Sequence, residues 1–132
     1  MESLARLQNS PYPPRKMRLL ADLVRGMRAD KAVYVLDLHE KKMYSKALGK
    51  LLRSAIANWQ AKNDTGADVS GLIVKEIRVD KARMLKRVQP APQGRAHRIR
   101  KRFNHITIVV DNGMAVSAPK TAAPKKTAQV EK

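Results

Sequence analysis

Apolar positions follow two different periods along this chain, and the change of period divides it. Up to residue 62 they recur three and four apart, as on one face of a helix; from residue 72 to 111 they gather in runs rich in β-branched residues. Residues 2–9 alternate weakly and predict a short edge strand. Ser10-Pro11-Tyr12-Pro13-Pro14 reads as a helix start, because proline is tolerated in the first turn, where its missing amide has no partner anyway. The helix should run from Pro13 or Pro14 to Arg25, with Met17, Leu20, Ala21 and Val24 on one face and Gly26 as its C-terminal cap. A second helix is predicted from Asp30, as N-cap, to about Leu38, with Ala32, Val33, Val35 and Leu36 available for burial. Residues 39–42 read as a surface break. A third helix should span 43–62, where Leu48, Leu51, Leu52, Ala55, Ile56 and Trp59 form an unbroken stripe. Burying such side chains contributes ~1.5–3 kcal/mol each. Residues 63–66 read as a loop, and Asp64 and Asp68 as solvated turn residues.

Two strands are predicted next, 72–88 and 95–111. Their apolar residues lie at the outer ends: 72–74, Ile77 and Val79 before the centre, 106–110 after it. The centre, Gln89, Pro90, Ala91, Pro92, Gln93 and Gly94, reads as a turn. The pattern is that of a long β-hairpin anchored at its base. Each arm beyond the core runs for about a dozen residues and reaches ~40 Å at ~3.3 Å per residue. A free two-stranded ribbon of that length has little stability of its own. Residues 112–132, rich in Ala, Lys, Thr and Pro, show no period and read as a flexible basic tail. The expected fold class is α+β: three helices packed on a small antiparallel sheet, with the extended hairpin at about 78–105. One domain over 1–111 accommodates these elements, as suits a chain of 132 residues.

Charge turns this shape toward a partner. The chain carries 28 Lys and Arg against 11 Asp and Glu, a net +17 with pI ≈ 10.8. The stretch 78–102 alone holds Arg78, Lys81, Arg83, Lys86, Arg87, Arg95, Arg98, Arg100, Lys101 and Arg102 against the single acid Asp80, about half of the net charge. A few lysines would suffice to deter pairing at a sheet edge. Here Arg predominates, and its planar guanidinium grips phosphate bidentately and stacks on bases. A second basic group is Arg15, Lys16, Arg18, Arg25 and Arg28; Arg15 and Lys16 oppose the dipole of the helix they begin, which hints at an external anion. The five aromatics, Tyr12, Tyr34, Tyr44, Trp59 and Phe103, are scattered, unlike a base-stacking platform. Recognition through phosphates and shape is therefore expected, with Trp59 in the core.

Candidate chemistry adds little. His39, His97 and His105 are too dispersed for a metal or acid–base cluster. His97 joins the RNA-facing set and His105 the hairpin base. There is no cysteine, phosphate loop, carboxylate dyad or nucleophile–base pair. Neither an enzyme nor a metal or cofactor is expected. No run of about 18 apolar residues occurs, and residues 1–9 lack the apolar centre of a secretory signal. A cytoplasmic location without membrane contact is expected.

Three stretches resemble one known family. Pro13-Pro14-Arg15-Lys16-Met17-Arg18-Leu19-Leu20-Ala21-Asp22-Leu23-Val24-Arg25-Gly26 is similar to the first-helix motif of the large-subunit ribosomal protein L twenty-two family. Ser54-Ala55-Ile56-Ala57-Asn58 resembles the motif of its long helix. Gly94-Arg95, a nine-residue spacer and His105-Ile106-Thr107-Ile108-Val109-Val110 resemble the second half of its signature. The three occur in the family's order, and the likeness covers about residues 4–111. It implies the α+β fold above and a role in binding and assembling large-subunit rRNA beside other ribosomal proteins, as a monomer within the ribosome. It also implies a globular part near the exit of the nascent-peptide tunnel and a hairpin lining the tunnel wall, where tip changes alter macrolide response. By position, Arg83, Lys86 and Arg87 would lie on the incoming arm and Arg95, Arg98, Lys101 and Arg102 on the returning one. The chain departs from the family where Ala91-Pro92 replace the usual Arg-small pair, giving a less charged, stiffer tip.

A DNA-bending nucleoid protein is the rival reading, because basic β-arms with proline at the tip can wedge into the minor groove. That rival requires a dimer presenting two arms.

Overall fold

A computed structural model of the chain describes residues 2–63 and 69–112, so Asp64, Asp68 and all but the first residue of the basic tail lie outside the described residues. The order of elements is β1 (Ser3–Ser10), α1 (Pro14–Val24), α2 (Ala29–Leu38), α3 (Lys42–Lys62), a 3-10 turn (Val69–Gly71), β2 (Leu72–Lys81), β3 (Leu85–Pro90), β4 (Ala96–Lys101) and β5 (Asn104–Asn112). Two antiparallel sheets result: one of three strands in the order β1-β5-β2, and a two-stranded ribbon of β3 and β4. The fold is α+β, with three helices on a small sheet, as the sequence pattern implies.

The near-continuous apolar run of β5 reflects its central place, paired on both sides. Its Ile106, Ile108 and Val110 share one core with Leu72, Val74, Ile77 and Val79 of β2 and with all three helices. Helix α1 contributes Met17, Leu20, Ala21 and Val24, the four residues its spacing selects. Helix α3 contributes Leu48, Leu51, Leu52, Ala55 and Trp59, while Ile56 is half-buried at the margin. Ser45 and Gly49 of α3 are buried as well, and Gly49 faces Leu36 and Asp37 of α2. In α2, Ala29, Ala32 and Leu36 are buried, whereas Val33 and Val35 are only partly so.

The join between α1 and α2 differs from expectation. Gly26 does take the left-handed conformation, with φ +79°. Its N–H, however, donates to the Val74 carbonyl at 2.9 Å, and the Val74 N–H donates to the Met27 carbonyl at 2.9 Å. Arg28 then bridges Ile73. Residues 26–28 thus run alongside β2, and the helix starts as soon as that pairing ends. Arg28 is the N-cap, and Asp30 sits in the first turn, where a negative charge still favours the helix dipole. No atom lies within 4 Å of a Cβ built on Gly26, so only backbone strain opposes a side chain there. Gly26→Ala is expected to lower stability by about 1 kcal/mol in denaturant titration.

The hairpin is also not two continuous strands. Pairing within the three-stranded sheet ends at Lys81↔Asn104 on one side and Ser10↔Asn104 on the other. Residues 82–84 and 102–103 then form a neck, crossed by a single backbone bond from the Ala82 N–H to the Phe103 carbonyl at 3.0 Å. Beyond Val79 and Ile106 no core holds the strands to the sheet, and the freestanding ribbon spans 82–103. A bulge between Val74 and Glu76 bends β2 within the sheet.

Candidate nucleic-acid interface

Every residue of β3 and β4 is exposed. Between residues 82 and 103 the ribbon carries Arg83, Lys86, Arg87, Arg95, Arg98, Arg100, Lys101 and Arg102, with no Asp or Glu to neutralise them. Lys86 stands opposite Arg100 and Val88 opposite Arg98, so these four share one face. Leu85 opposite Lys101, Arg87 opposite Ile99 and Gln89 opposite His97 occupy the other face.

The turn is tighter than the span 89–94. Gln89 and Pro90 belong to β3, paired with His97 and Ala96. The Ala91 N–H donates to the Arg95 carbonyl at 2.8 Å, and the Arg95 N–H to the Pro92 carbonyl at 3.4 Å. Gln93 and Gly94 turn the chain with φ of 63° and 69°. Pro90 has no N–H to exchange with Ala96, so 90/96 is a non-hydrogen-bonded pair, the position where the ladder needs no donor.

At the neck, Pro14, Lys81, Arg102, Phe103 and Met84 line a cleft of about 210 Å³. The start of α1 thereby meets the root of the arm. Arg15 and Lys16 lie exposed in that first turn, which holds no acid and no side-chain cap. Lys16 Nζ lies 6.0 Å from the centre of the Tyr44 ring. The arm's basic group and the first pair of the helix group are continuous here.

Arg18, Arg25 and Arg78 are held by partners in the body of the protein. Arg18 Nε and Nη2 donate to the Val79 carbonyl at 3.2 and 2.9 Å. Arg25 Nη2 donates to the Ile77 carbonyl at 3.0 Å, and its Nη1 pairs with Asp22 at 2.6 Å. Strand β2 is an edge, and Arg18 and Arg25, seven apart on one side of α1, cover alternate carbonyls of that edge. Arg78 pairs with Glu76 at 2.6 and 3.0 Å. That hydrogen bond holds the Glu76 carboxyl below its ordinary range and raises Arg78. Arg18→Met is expected to cost ~0.5–1.5 kcal/mol. Arg18→Lys should restore only part of it, since an ammonium lacks the fork. Denaturant midpoints and hydrogen exchange of the β2 amides measure both.

The histidines take structural partners: His105 Nδ1 accepts the Asn9 N–H at 3.1 Å, and His39 Nδ1 accepts the Lys41 N–H at 3.0 Å. His105 thus sits at the hairpin base, as expected. His97 lies exposed on the ribbon. Trp59 is 3 % exposed and belongs to the core. Asn58, from the long-helix motif, donates through Nδ2 to the Leu4 carbonyl at 3.2 Å and ties α3 to β1. Among the described residues no group of three His, Cys, Asp or Glu could hold a metal, and no helix is long and apolar enough to cross a membrane.

Residues 5–111 match the family described as ribosomal protein L22p/L17e. A large ribosomal subunit protein uL22 from Christiangramia forsetii is 61% identical over 109 residues, covering 82% of this chain and 80% of the relative. Its namesake from Flavobacterium johnsoniae is 58% identical over 109 residues, covering 82% and 79%. That from Porphyromonas gingivalis is 54% identical over 107 residues, covering 81% and 79%.

Proposed function

The chain belongs to the ribosomal protein L22p/L17e family, and on that premise we propose that it is a non-enzymatic, rRNA-binding structural component of the large subunit. One observation carries the reading. A ribbon with eight cations and no acid projects beyond the core with every strand residue open to solvent. Cations at that density repel one another in isolation, and a polyanion closing around them removes the repulsion while releasing counterions. The ribbon threads between rRNA segments and assists assembly. Arg83, Lys86, Arg87, Arg95, His97, Arg98, Arg100, Lys101 and Arg102 contact the RNA along its two arms.

Lys81, Arg15 and Lys16 extend that contact onto the body, and Arg28, at the other end of β2, adds a separate one. Arg18, Arg25 and Arg78 reach RNA only with whatever donors their internal partners leave over. Residues 1–111 act as the rRNA-binding unit and the basic tail as an accessory contact. The turn at 91–95 faces the nascent peptide from the tunnel wall, and neighbouring ribosomal proteins meet the body of this single copy.

Sedimentation of a native lysate tests the reading. Cofractionation with large subunits is expected. Recovery as a dimer bound to chromosomal DNA would favour the DNA-bending alternative, which the proline-bearing turn alone suggests.

A further inference from the structure

We propose that one face of the ribbon is a binding site for a single unstacked nucleotide, its phosphate held between Lys86 and Arg100 and its base laid over Val88 against Arg98. The inference rests on the reading of the ribbon as an RNA contact and names which chemical unit of the RNA this face takes. Lys86 and Arg100 stand directly opposite each other, as do Val88 and Arg98. Both are non-hydrogen-bonded pairs, because bonding alternates from 90/96, where Pro90 has no N–H to give, and in such pairs side chains approach most closely.

Two features of this face are unfavourable for the ribbon alone. Like charges directly opposite destabilise a two-stranded pair. Val88 is also 68% exposed, far from the core, where a solvated strand gains nothing from an apolar residue. Met84 is exposed as well and joins Val88 in lining a concavity of about 490 Å³ walled by Lys86, Arg98 and Arg100, which Arg87 and Ile99 of the opposite face also border. No carboxylate lines it.

An anion between Lys86 and Arg100 reverses the first cost, and a flat, weakly hydrated surface over Val88 reverses the second. Positions 86 and 88 are two apart on one strand, ~7 Å, about the reach from a phosphate to the base it carries. Unpaired nucleotides of bulges and loops offer that combination, with the base free to stack on a guanidinium plane. A regular duplex offers phosphates while its base faces stay stacked inside. A free phosphate leaves the apolar floor uncovered, and an apolar peptide leaves the cations unmatched.

The full chain, titrated with a short RNA stem bearing one unpaired adenosine and with the same stem lacking it, tests the site. The unpaired base is expected to strengthen binding about tenfold at equal salt, as stacking of one base allows. In Val88→Ser the preference should fall to within about twofold. The salt dependence should stay unchanged, showing the charged arm intact. Equal affinity of the parent chain for both stems, or a preference that survives in the variant, would overturn the site while leaving the rRNA reading standing. Absence of salt-dependent binding to either stem would overturn both.

Discussion

A chain carrying Arg98→Glu and Arg102→Glu is expected to fold as its parent does and to be depleted from assembled large subunits when the two compete in one cell. Both residues are exposed, and neither belongs to the core. Surface changes of this kind usually move stability by no more than about 0.5 kcal/mol. Their effect on RNA is larger. Each reversal removes a phosphate contact and adds a charge that repels the backbone. The slope of log affinity against log salt should become shallower by about 2. Affinity at physiological salt should fall on the order of a hundredfold, roughly tenfold per site. Filter binding across a salt series gives both quantities, and quantitation in sucrose-gradient fractions gives incorporation. An unchanged salt slope would mean that these side chains face no phosphate.

Trp59→Ala should do the opposite. Trp59 lies near the C-terminal end of α3, 3% exposed, within the core that joins all three helices to β2 and β5. Truncating a buried tryptophan costs about 3–5 kcal/mol. A domain of this kind holds only ~5–15 kcal/mol in total. The denaturation midpoint is therefore expected to fall steeply, while the salt slope of the molecules that remain folded stays that of the parent. Trp59 as a base-stacking residue would give the reverse: unchanged stability and weaker RNA binding. The two substitutions together separate what holds the body from what grips the RNA.

Elements whose apolar residues face one continuous core were legible in the sequence. Helix α1 shows Met17, Leu20, Ala21 and Val24, helix α3 shows its long stripe, and the buried run of β5 names itself by β-branching. What escaped depends on which element lies next to which. Composition does not change at residues 82–84 or 102–103, yet the hairpin breaks there, because β1 runs out opposite Asn104 and the sheet loses its third strand. Asp30 has the better chemistry for an N-cap, and backbone pairing of 26–28 with β2 moves the helix start past it.

The candidate interface divides in the same way. Arg18 and Arg98 are equivalent letters in equally basic surroundings. Only the placement of α1 beside the outer edge of β2 gives Arg18 a carbonyl to hold, while Arg98 faces solvent. Local charge counting groups the two together. Val88 was hidden for a related reason. An apolar residue in an otherwise cationic arm reads as an ordinary strand former until the register places it on one face with Lys86 and Arg100.

A photo-crosslinking residue placed at Arg87 in one experiment and at Arg98 in another, on opposite faces of the ribbon, followed by sequencing of the attached nucleic acid from living cells, reads the ribbon's partner without fractionation. Large-subunit rRNA concentrated in a few segments at both positions is the expected result. Chromosomal DNA at either position, or crosslinks returning to the chain's own helices, would contradict it.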